Sequence, residues 1–240
     1  MRRVLLILFC LFLGLAARSQ NLYLLSVGVS DYPGVQNDLK LPVNDARAIV
    51  ELYKSNRAAT TRILLDQAAS RQAILDAARE LFGKAKADDI VVFYFSGHGC
   101  PSGFVAQDEK ILQYSDLKAV FSRCSSKHKM IFADSCFSGK LRDAGPSSSS
   151  SSSKIDMDLM LFLSSRHNEV SLEVPGMKNG FFTACLLKCL KGAADENRDR
   201  RVTAKELFKG VSMGVKTLSQ DTQHPVMWGN FADDMTVMKW

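Results

Sequence analysis

The segment "DDIVVFYFSGHG", Asp88 to Gly99, decides how the chain is interpreted. Its apolar run from Ile90 to Phe95 is unbroken, which is typical of a strand buried on both faces of a parallel sheet. Small residues and one imidazole, His98, follow that run directly. The segment therefore predicts a central strand with a histidine just past its carboxyl end.

A second segment, "KHKMIFADSCFSG", Lys127 to Gly139, has the same layout with a cysteine in place of the histidine. Cys136 follows an apolar strand, and the small residues Ser138 and Gly139 come after it. Ligand sites in parallel sheets lie at the carboxyl ends of the strands. A sulfur and an imidazole at two such ends predict a two-part catalytic site.

The rest of the chain alternates short apolar runs with amphipathic segments, which predicts an α/β fold with a mostly parallel central sheet and helices on both faces. Ser70 and Ser115 are the expected N-caps of two helices, and Gly83 and Gly192 are expected to end two helices. Further strands are predicted in 21–30, 60–66 and 157–165, and helices in 42–55, 70–83, 114–124, 180–192 and 203–219.

Residues 1–19 have the order of a secretory signal peptide: two arginines, an apolar run, then small residues. We expect one domain over 20–240 and a secreted or periplasmic protein; an uncleaved membrane anchor is the alternative. Removing 1–19 lowers the formal net charge from +6 to about +3, so the basic balance gives no argument for nucleic-acid binding. The serine-rich stretch 145–154 cannot build a core and is predicted to be a disordered linker.

A cysteine and a histidine can also be unrelated structural residues. A thiol is a nucleophile as its thiolate, and a nearby imidazole can take its proton and pass it to a leaving amine. We favour the catalytic interpretation because both residues follow apolar strands and both have small neighbours. Cys185 and Cys189, four residues apart on a helix, are expected on its buried face. The remaining histidines are interpreted as surface or loop residues: His128, His167 and His224.

These motifs resemble those of a known family. "YFSGHG" and "DSCFSG" are similar to the histidine and cysteine motifs of the caspase-like cysteine peptidases of clan CD, close to metacaspases and bacterial caspase-domain proteins. "VGVSDYPG", "LPVNDARAI", "NGFFTACLLKCLKGAAD" and "TQHPVMWG" also resemble that family. The resemblance implies a three-layer sandwich, His98 as general base and acid, Cys136 as nucleophile, and an oxyanion hole from the N–H groups of Gly99 and Cys136.

The resemblance also implies a pocket for a basic substrate residue, lined by Asp45 and Asp134 with Ser96 beside them. Two carboxylates near a nucleophile would favour Arg or Lys over Asp on electrostatic grounds. The alternatives are dipole pairing at a helix start for Asp45 and a turn acid for Asp134. Phe137 and Pro42 depart from the metacaspase pattern, which bears on the shape of the pocket.

Two further hypotheses concern regulation. The serine-rich stretch lies where caspase relatives have a loop that is cut on activation, and Lys140, Arg142 and Lys154 beside it are candidate cleavage points; a passive linker is the alternative. A calcium loop is suggested by oxygen ligands at EF-hand spacing, although Arg200 stands where glycine is usual and a capping box explains the last two members equally well. The suggested ligands are Asp195, Asn197, Asp199, Thr203 and Glu206.

The sequence thus predicts a cysteine endopeptidase that cleaves peptides or proteins after Arg or Lys. We expect a monomer that requires no cofactor, with calcium as an optional ligand. We expect no nucleic-acid partner, and no membrane association once the signal peptide is removed. Two other hypotheses are a catalytically silent caspase-like module that binds a partner and a Cys–His hydrolase or transferase with non-peptide substrates.

Overall fold

The computed structural model describes residues 20–56, 59–135, 159–165 and 176–240. The strands are β1 Leu22–Gly28, β2 Ala59–Leu65, β3 Ile90–Ser96, β4 Gly99–Cys100, β5 Gly103–Val105, β6 Ile111–Gln113, β7 His128–Asp134, β8 Leu159–Leu163, β9 Arg201–Thr203, β10 Val226–Asn230 and β11 Thr236–Lys239. The helices are α1 Pro42–Asn56, α2 Arg71–Phe82, α3 Tyr114–Ser122, α4 Phe181–Lys188 and α5 Ala204–Leu218.

Six of the described strands form the main sheet, in the order β10-β8-β7-β3-β1-β2. All neighbouring pairs are parallel except β10 with β8, which is antiparallel. Every residue of β3 is buried, as its apolar run predicts. The carboxyl ends of the parallel strands lie along one side of the sheet, which we call its carboxyl edge. Because β3 is an inner strand, the chain that follows it leaves the sheet near the middle of this carboxyl edge.

The sheet has helices on both faces. One buried cluster packs α1, α4 and α5 against side chains such as Val92 and Tyr94 of β3. The other packs α2 and α3 against Val91, Phe93 and Phe95 of the same strand. This three-layer α/β sandwich confirms the predicted fold class.

The helix ends mostly follow the predicted signals. The Ser70 hydroxyl accepts from the N–H of Ala73 at the start of α2, and Gly83 is the C-cap of that helix. The predicted N-cap of α3, Ser115, is wrong. Gln113 caps that helix instead, because the carboxylate of Asp116 accepts from the Gln113 N–H and completes a capping box there.

Small strands complete the fold. The strands β4, β5 and β6 form a three-stranded sheet directly after His98, anchored by Phe104, whose ring stacks on Phe95 at 4.5 Å between centroids. Strands β9 and β11 pair near the end of the chain. With only two to four residues each, most of these strands are too short to show a hydrophobic period in the sequence.

The buried cysteines are explained by helix packing. Cys185 and Cys189 are buried where α4 and its one-turn extension meet α5. A Cβ atom at Gly214 would lie 2.7 Å from the sulfur of Cys185, and one at Gly210 would lie 2.9 Å from the sulfur of Cys189. The two glycines let the helices approach closely, which confirms the prediction of structural cysteines on a buried face.

Several predictions concern residues outside the described ranges: the signal peptide 1–19, the linker 145–154, Cys136 and His167. No helix in the described part of the chain is both long and apolar enough to cross a membrane.

Candidate active site

His98 lies two residues beyond the carboxyl end of β3, where the chain leaves the sheet. The N–H of Gly97 donates to the carbonyl of Asp134 at 3.2 Å, so the ends of β3 and β7 stay joined past their last ladder pair, Ser96 with Asp134. Cys136 follows Asp134 by two residues and lies outside the described residues.

The His98 imidazole has a fixed orientation. Its Nε2 lies 2.7 Å from the carbonyl oxygen of Asn37. A carbonyl oxygen can only accept, so Nε2 carries a proton, and Nδ1 is the basic nitrogen of the neutral ring. This is the arrangement in which a histidine can take a proton from a thiol at Nδ1 while a third group orients the ring.

Asp45 reaches the same edge of the sheet from the first turn of α1. A Cβ atom at Gly28 would lie 2.4 Å from the carbonyl of Pro42, so only glycine at the end of β1 lets α1 begin this close to the sheet. The Asp45 carboxylate accepts from the Ser96 hydroxyl at 2.9 Å and from Asn179 Nδ2 at 2.8 Å. These partners belong to other elements, so Asp45 does more than pair with the dipole of its own helix.

Asp134 is the last residue of β7 and lies beneath the start of α4. One of its oxygens accepts from the N–H of Thr183 at 3.1 Å and from the Thr183 hydroxyl at 2.8 Å. The buried Tyr94 hydroxyl lies 2.6 Å from the Thr183 hydroxyl, which accepts from it because its own proton points to Asp134. The predicted turn role of Asp134 does not describe this position, since the residue belongs to the strand.

Gly180, at the start of α4, separates the two carboxylates. Its N–H donates to Asp45 at 3.2 Å. A Cβ atom there would lie 2.6 Å from an oxygen of Asp134 and 3.5 Å from one of Asp45, so these two oxygens are no more than about 6 Å apart. Only glycine fits here without displacing a neighbour, because any Cβ atom would be forced against the Asp134 carboxylate.

The carboxylate pair is buried and carries excess negative charge. Asp45 is 1% exposed and Asp134 is 7% exposed. Burial, and next the charge of Asp134, raise the pKa of Asp45 to about 8. Among the described residues, no Lys or Arg forms an ion pair with Asp45. A proton or an external cation would relieve the repulsion between the two acids.

The structure therefore brings together Asp45, Ser96 and Asp134, at the edge that also leads to His98. Gly99, the predicted oxyanion donor, is half-buried and begins the small sheet by pairing with Phe104.

The predicted calcium loop is occupied by its own hydrogen bonds. Asp195 accepts from the N–H groups of Asp199 and Arg200, at 3.1 and 3.0 Å. Glu206 caps α5 by accepting from the N–H of Thr203 at 2.9 Å. In the described ranges, no three His, Cys, Asp or Glu side chains are grouped so that they could hold a metal ion. Calcium binding stays a prediction that calorimetric titration can test.

Sequence reasoning missed several contributors to the site. Tyr32 lies in "DYPG", which fits an ordinary turn, and Asn37 follows that motif with no pattern of its own. Asn179, Gly180 and Thr183 were noticed only as part of a family-like motif, with no role attached. Their grouping as "NG" followed by a buried Thr at a helix start was the available signal.

The fold and these residues define a class: an α/β sandwich with a histidine and two buried acids at the carboxyl edge of its parallel strands. The sequence profile of the caspase domain matches residues 23–236. The chain therefore belongs to the caspase-domain family, a family of cysteine peptidases, and this confirms the resemblance seen in the sequence.

Solved structures agree on the fold. Caspase-1 from Spodoptera frugiperda superposes with a TM-score of 0.70 at 12% identity, over 92% of this chain and 90% of that one. The protein GSU0716 from Geobacter sulfurreducens superposes with a TM-score of 0.63 at 17% identity, over 87% of this chain and 92% of that one. No curated protein matches the sequence significantly.

Proposed function

We propose that the protein is a cysteine endopeptidase that cleaves peptide bonds after Arg or Lys, with Cys136 as nucleophile and His98 as general base and acid. The observation that carries the proposal is the buried Asp45–Asp134 pair at the carboxyl edge of the strands that lead to both residues. A caspase-like domain implies peptide or protein substrates, and the acidic pair is the reason to expect a preference for Arg or Lys before the cleaved bond.

The pairing of β3 with β7 supports a catalytic dyad of His98 and Cys136. Ser96 and Asp134 are direct partners in adjacent parallel strands, and His98 and Cys136 each follow their strand's last residue by two positions. Chains leaving the same end of neighbouring strands begin about 5 Å apart. Nδ1 of His98 would take the thiol proton, the thiolate would add to the substrate carbonyl, and the imidazolium would protonate the leaving amine. Water would then hydrolyse the thioester with the same base.

The N–H groups of Gly99 and Cys136 are the proposed oxyanion donors. A tetrahedral oxyanion is stabilised by N–H groups already oriented before the reaction. Gly99 follows the general base directly and has no side chain between its N–H and an approaching carbonyl.

The carboxylate pair explains the preference for a basic residue. A guanidinium or ammonium group held against the Asp45–Asp134 pair would replace the proton that the pair holds without substrate. A substrate aspartate would add a third negative charge to a desolvated site, which is strongly unfavourable.

The experiment compares kcat/KM for matched fluorogenic peptides ending in Arg, in Asp, and in citrulline, an uncharged analogue of arginine. We expect hydrolysis of the Arg peptide to depend on Cys136 and His98, and we expect Asp45→Asn to reduce it by at least about 30-fold while sparing the citrulline peptide. Asp76→Asn, an exposed acid on α2, is the charge-matched control. An Asp45→Asn variant that prefers Arg over citrulline as strongly as the wild type does would refute the pocket.

The pH dependence gives a second test of the pocket. Because the cation competes with a proton on Asp45, the Arg-to-citrulline ratio should rise as the pH is raised from about 6 to about 9. Taking the ratio cancels the titration of the dyad, which is common to both substrates. The ratio should be flat in Asp45→Asn.

Self-cleavage at the serine-rich stretch follows from the same specificity, since Lys140, Arg142 and Lys154 lie in or beside it. Intact mass after incubation of the wild type beside Cys136→Ala tests this: an uncut wild type excludes it. Secretion or periplasmic export is proposed from residues 1–19, and fractionation with N-terminal sequencing of the mature chain tests it.

A further inference from the structure

We infer that Tyr32 is a positioning residue for His98: its hydroxyl holds the backbone of the histidine and its ring fixes the plane of the imidazole. The inference rests on the proposed function in so far as it concerns turnover. Its structural part, the fixed state of the His98 ring, can be measured without any substrate.

The Tyr32 hydroxyl joins the two segments that meet below His98. It accepts from the His98 N–H at 2.9 Å and donates to the carbonyl of Val105 at 3.0 Å. The carbonyl of His98 in turn accepts from the Val105 N–H at 2.9 Å. The hydroxyl therefore gives a partner to one donor and one acceptor, in a region where Tyr32 is only 4% exposed.

The tyrosine ring packs against the imidazole. The two ring centroids are 4.7 Å apart and the planes are tilted by 47°. This contact lies against the ring whose Nε2 donates to Asn37. Rotation of His98 about its side-chain bonds would break both the ring contact and the hydrogen bond.

The glycine before His98 is part of this arrangement. Gly97 has φ +153°, and a Cβ atom there would lie 2.7 Å from the Tyr32 hydroxyl. The absence of a side chain at position 97 thus leaves room for the tyrosine.

The two residues that contact His98, Tyr32 and Asn37, belong to one short segment, Tyr32 to Asp38. The Asp38 carboxylate accepts from the Tyr32 N–H at 3.1 Å, which closes the segment on itself. Just before the segment, the N–H of Ser30 donates at 2.8 Å to the carboxylate of Asp66, the residue that follows β2, and this bond ties the two chain segments together. The orientation of the general base therefore depends on a loop more than 50 residues before it in sequence.

Burial raises the pKa of the Tyr32 hydroxyl well above its usual value. The group keeps its proton at any pH at which the protein would be assayed. Tyr32 therefore acts through hydrogen bonds and packing, and it transfers no proton itself.

The test uses Tyr32→Phe, which removes one oxygen, beside Tyr114→Phe as the matched control. Tyr114 is also 4% exposed, and its hydroxyl donates to the carbonyl of Cys100, but it makes no contact with His98. We expect Tyr32→Phe to lower kcat about tenfold with KM changed less than about twofold, because the half-buried His98 N–H loses its acceptor and the imidazole is then less well positioned towards the thiol. Tyr114→Phe should leave kcat within about twofold of wild type.

The second readout is the tautomer of His98, followed by nitrogen-15 NMR of histidine-labelled protein in a Cys136→Ala background, with His98→Gln to assign the signal. With Tyr32 present, the His98 ring should be held as the Nε2–H tautomer. Tyr32→Phe should release the His98 backbone, loosen the bond from Nε2 to Asn37 and so shift the ring nitrogens towards a mixture of tautomers. Unchanged kcat and unchanged ring signals in Tyr32→Phe would overturn the inference. Equal losses in Tyr32→Phe and Tyr114→Phe would also overturn it, by showing a merely structural role.

Failure of the proposed function gives a different pattern. A wild type that hydrolyses none of the peptides would count against the peptidase. The ring signals would then decide the inference alone: a held tautomer that Tyr32→Phe releases supports it, and one that Tyr32→Phe leaves unchanged overturns it.

Discussion

Replacing Asp45 with Asn should make the protein's stability less dependent on pH. The pKa of Asp45 is about 8 in the folded protein, against about 3.9 for an unfolded aspartate. A carboxyl group with a raised pKa contributes stability that is complete below pH 4 and is lost as the pH rises through 8. Between these limits unfolding releases one proton, so the free energy of unfolding falls by about 1.4 kcal/mol per pH unit.

The expected effect is large enough to measure. From pH 5 to pH 8 the wild type should lose about 4 kcal/mol through this group, and Asp45→Asn should lose none of it. An Asn side chain can keep the hydrogen bonds, because its oxygen can accept from Asn179 and Gly180 while its NH₂ donates to the Ser96 hydroxyl, which can rotate. The variant should therefore gain stability relative to wild type as the pH rises.

Urea unfolding followed by circular dichroism at several pH values would give the difference in free energy of unfolding between the two proteins. A Cys136→Ala background prevents self-cleavage during the measurement. Taking the difference removes the contribution of other acids, such as Asp89 and Asp108, whose pKa values are lowered by hydrogen bonds that outweigh their partial burial. A difference that stays constant between pH 5 and pH 8 would refute the buried-pair reasoning, and Asp76→Asn should show such a constant difference.

Three substitutions test the packing around the site. Gly180→Ala should destabilise the fold by about 1–3 kcal/mol in urea and weaken cleavage of Arg peptides, because the new methyl group would lie 2.6 Å from an Asp134 oxygen; wild-type values for both would contradict this. Thr183→Val should lower the free energy of unfolding in urea by about 1–3 kcal/mol, since the Asp134 carboxylate loses the hydroxyl donor but keeps the Thr183 N–H, and the Tyr94 hydroxyl loses its acceptor; an unchanged free energy of unfolding would contradict this. Gly214→Ala should cost about 1–3 kcal/mol by contact with the Cys185 sulfur, and adding Cys185→Ala should restore most of it; additive losses would refute the packing.

The strands, most helix ends and the edge that holds the site could be predicted because they depend on local patterns. The apolar runs of β3 and β7 specify buried parallel strands, and a parallel sheet places the residues after them at one edge. Ser70 and Gly83 mark α2 because capping is decided within one turn. Ser115 is not the cap because the acid that completes the capping box, Asp116, is the third residue after Gln113 and therefore pairs with the N–H of Gln113.

The pocket and the support of His98 could not be derived from local pattern. Asp45 and Asp134 meet only because β1, β3 and β7 are neighbours and Gly28 lets α1 approach, and the sheet order is not written in any one segment. The family resemblance alone suggested that pairing. Tyr32 had no signal, because a tyrosine in "DYPG" fits a turn equally well and its partner at His98 is distant in sequence.

The proposed activity depends above all on Cys136 being the nucleophile of a site that binds a basic residue. A peptide chloromethyl ketone ending in Arg would test it, because the attacking sulfur displaces chloride and keeps the peptide as a thioether. Intact mass and peptide mapping should find one adduct, on Cys136, formed faster with the Arg reagent than with its citrulline or Asp counterpart and lost in His98→Ala. An adduct on the half-buried Cys100 instead, or no adduct at all, would contradict the account.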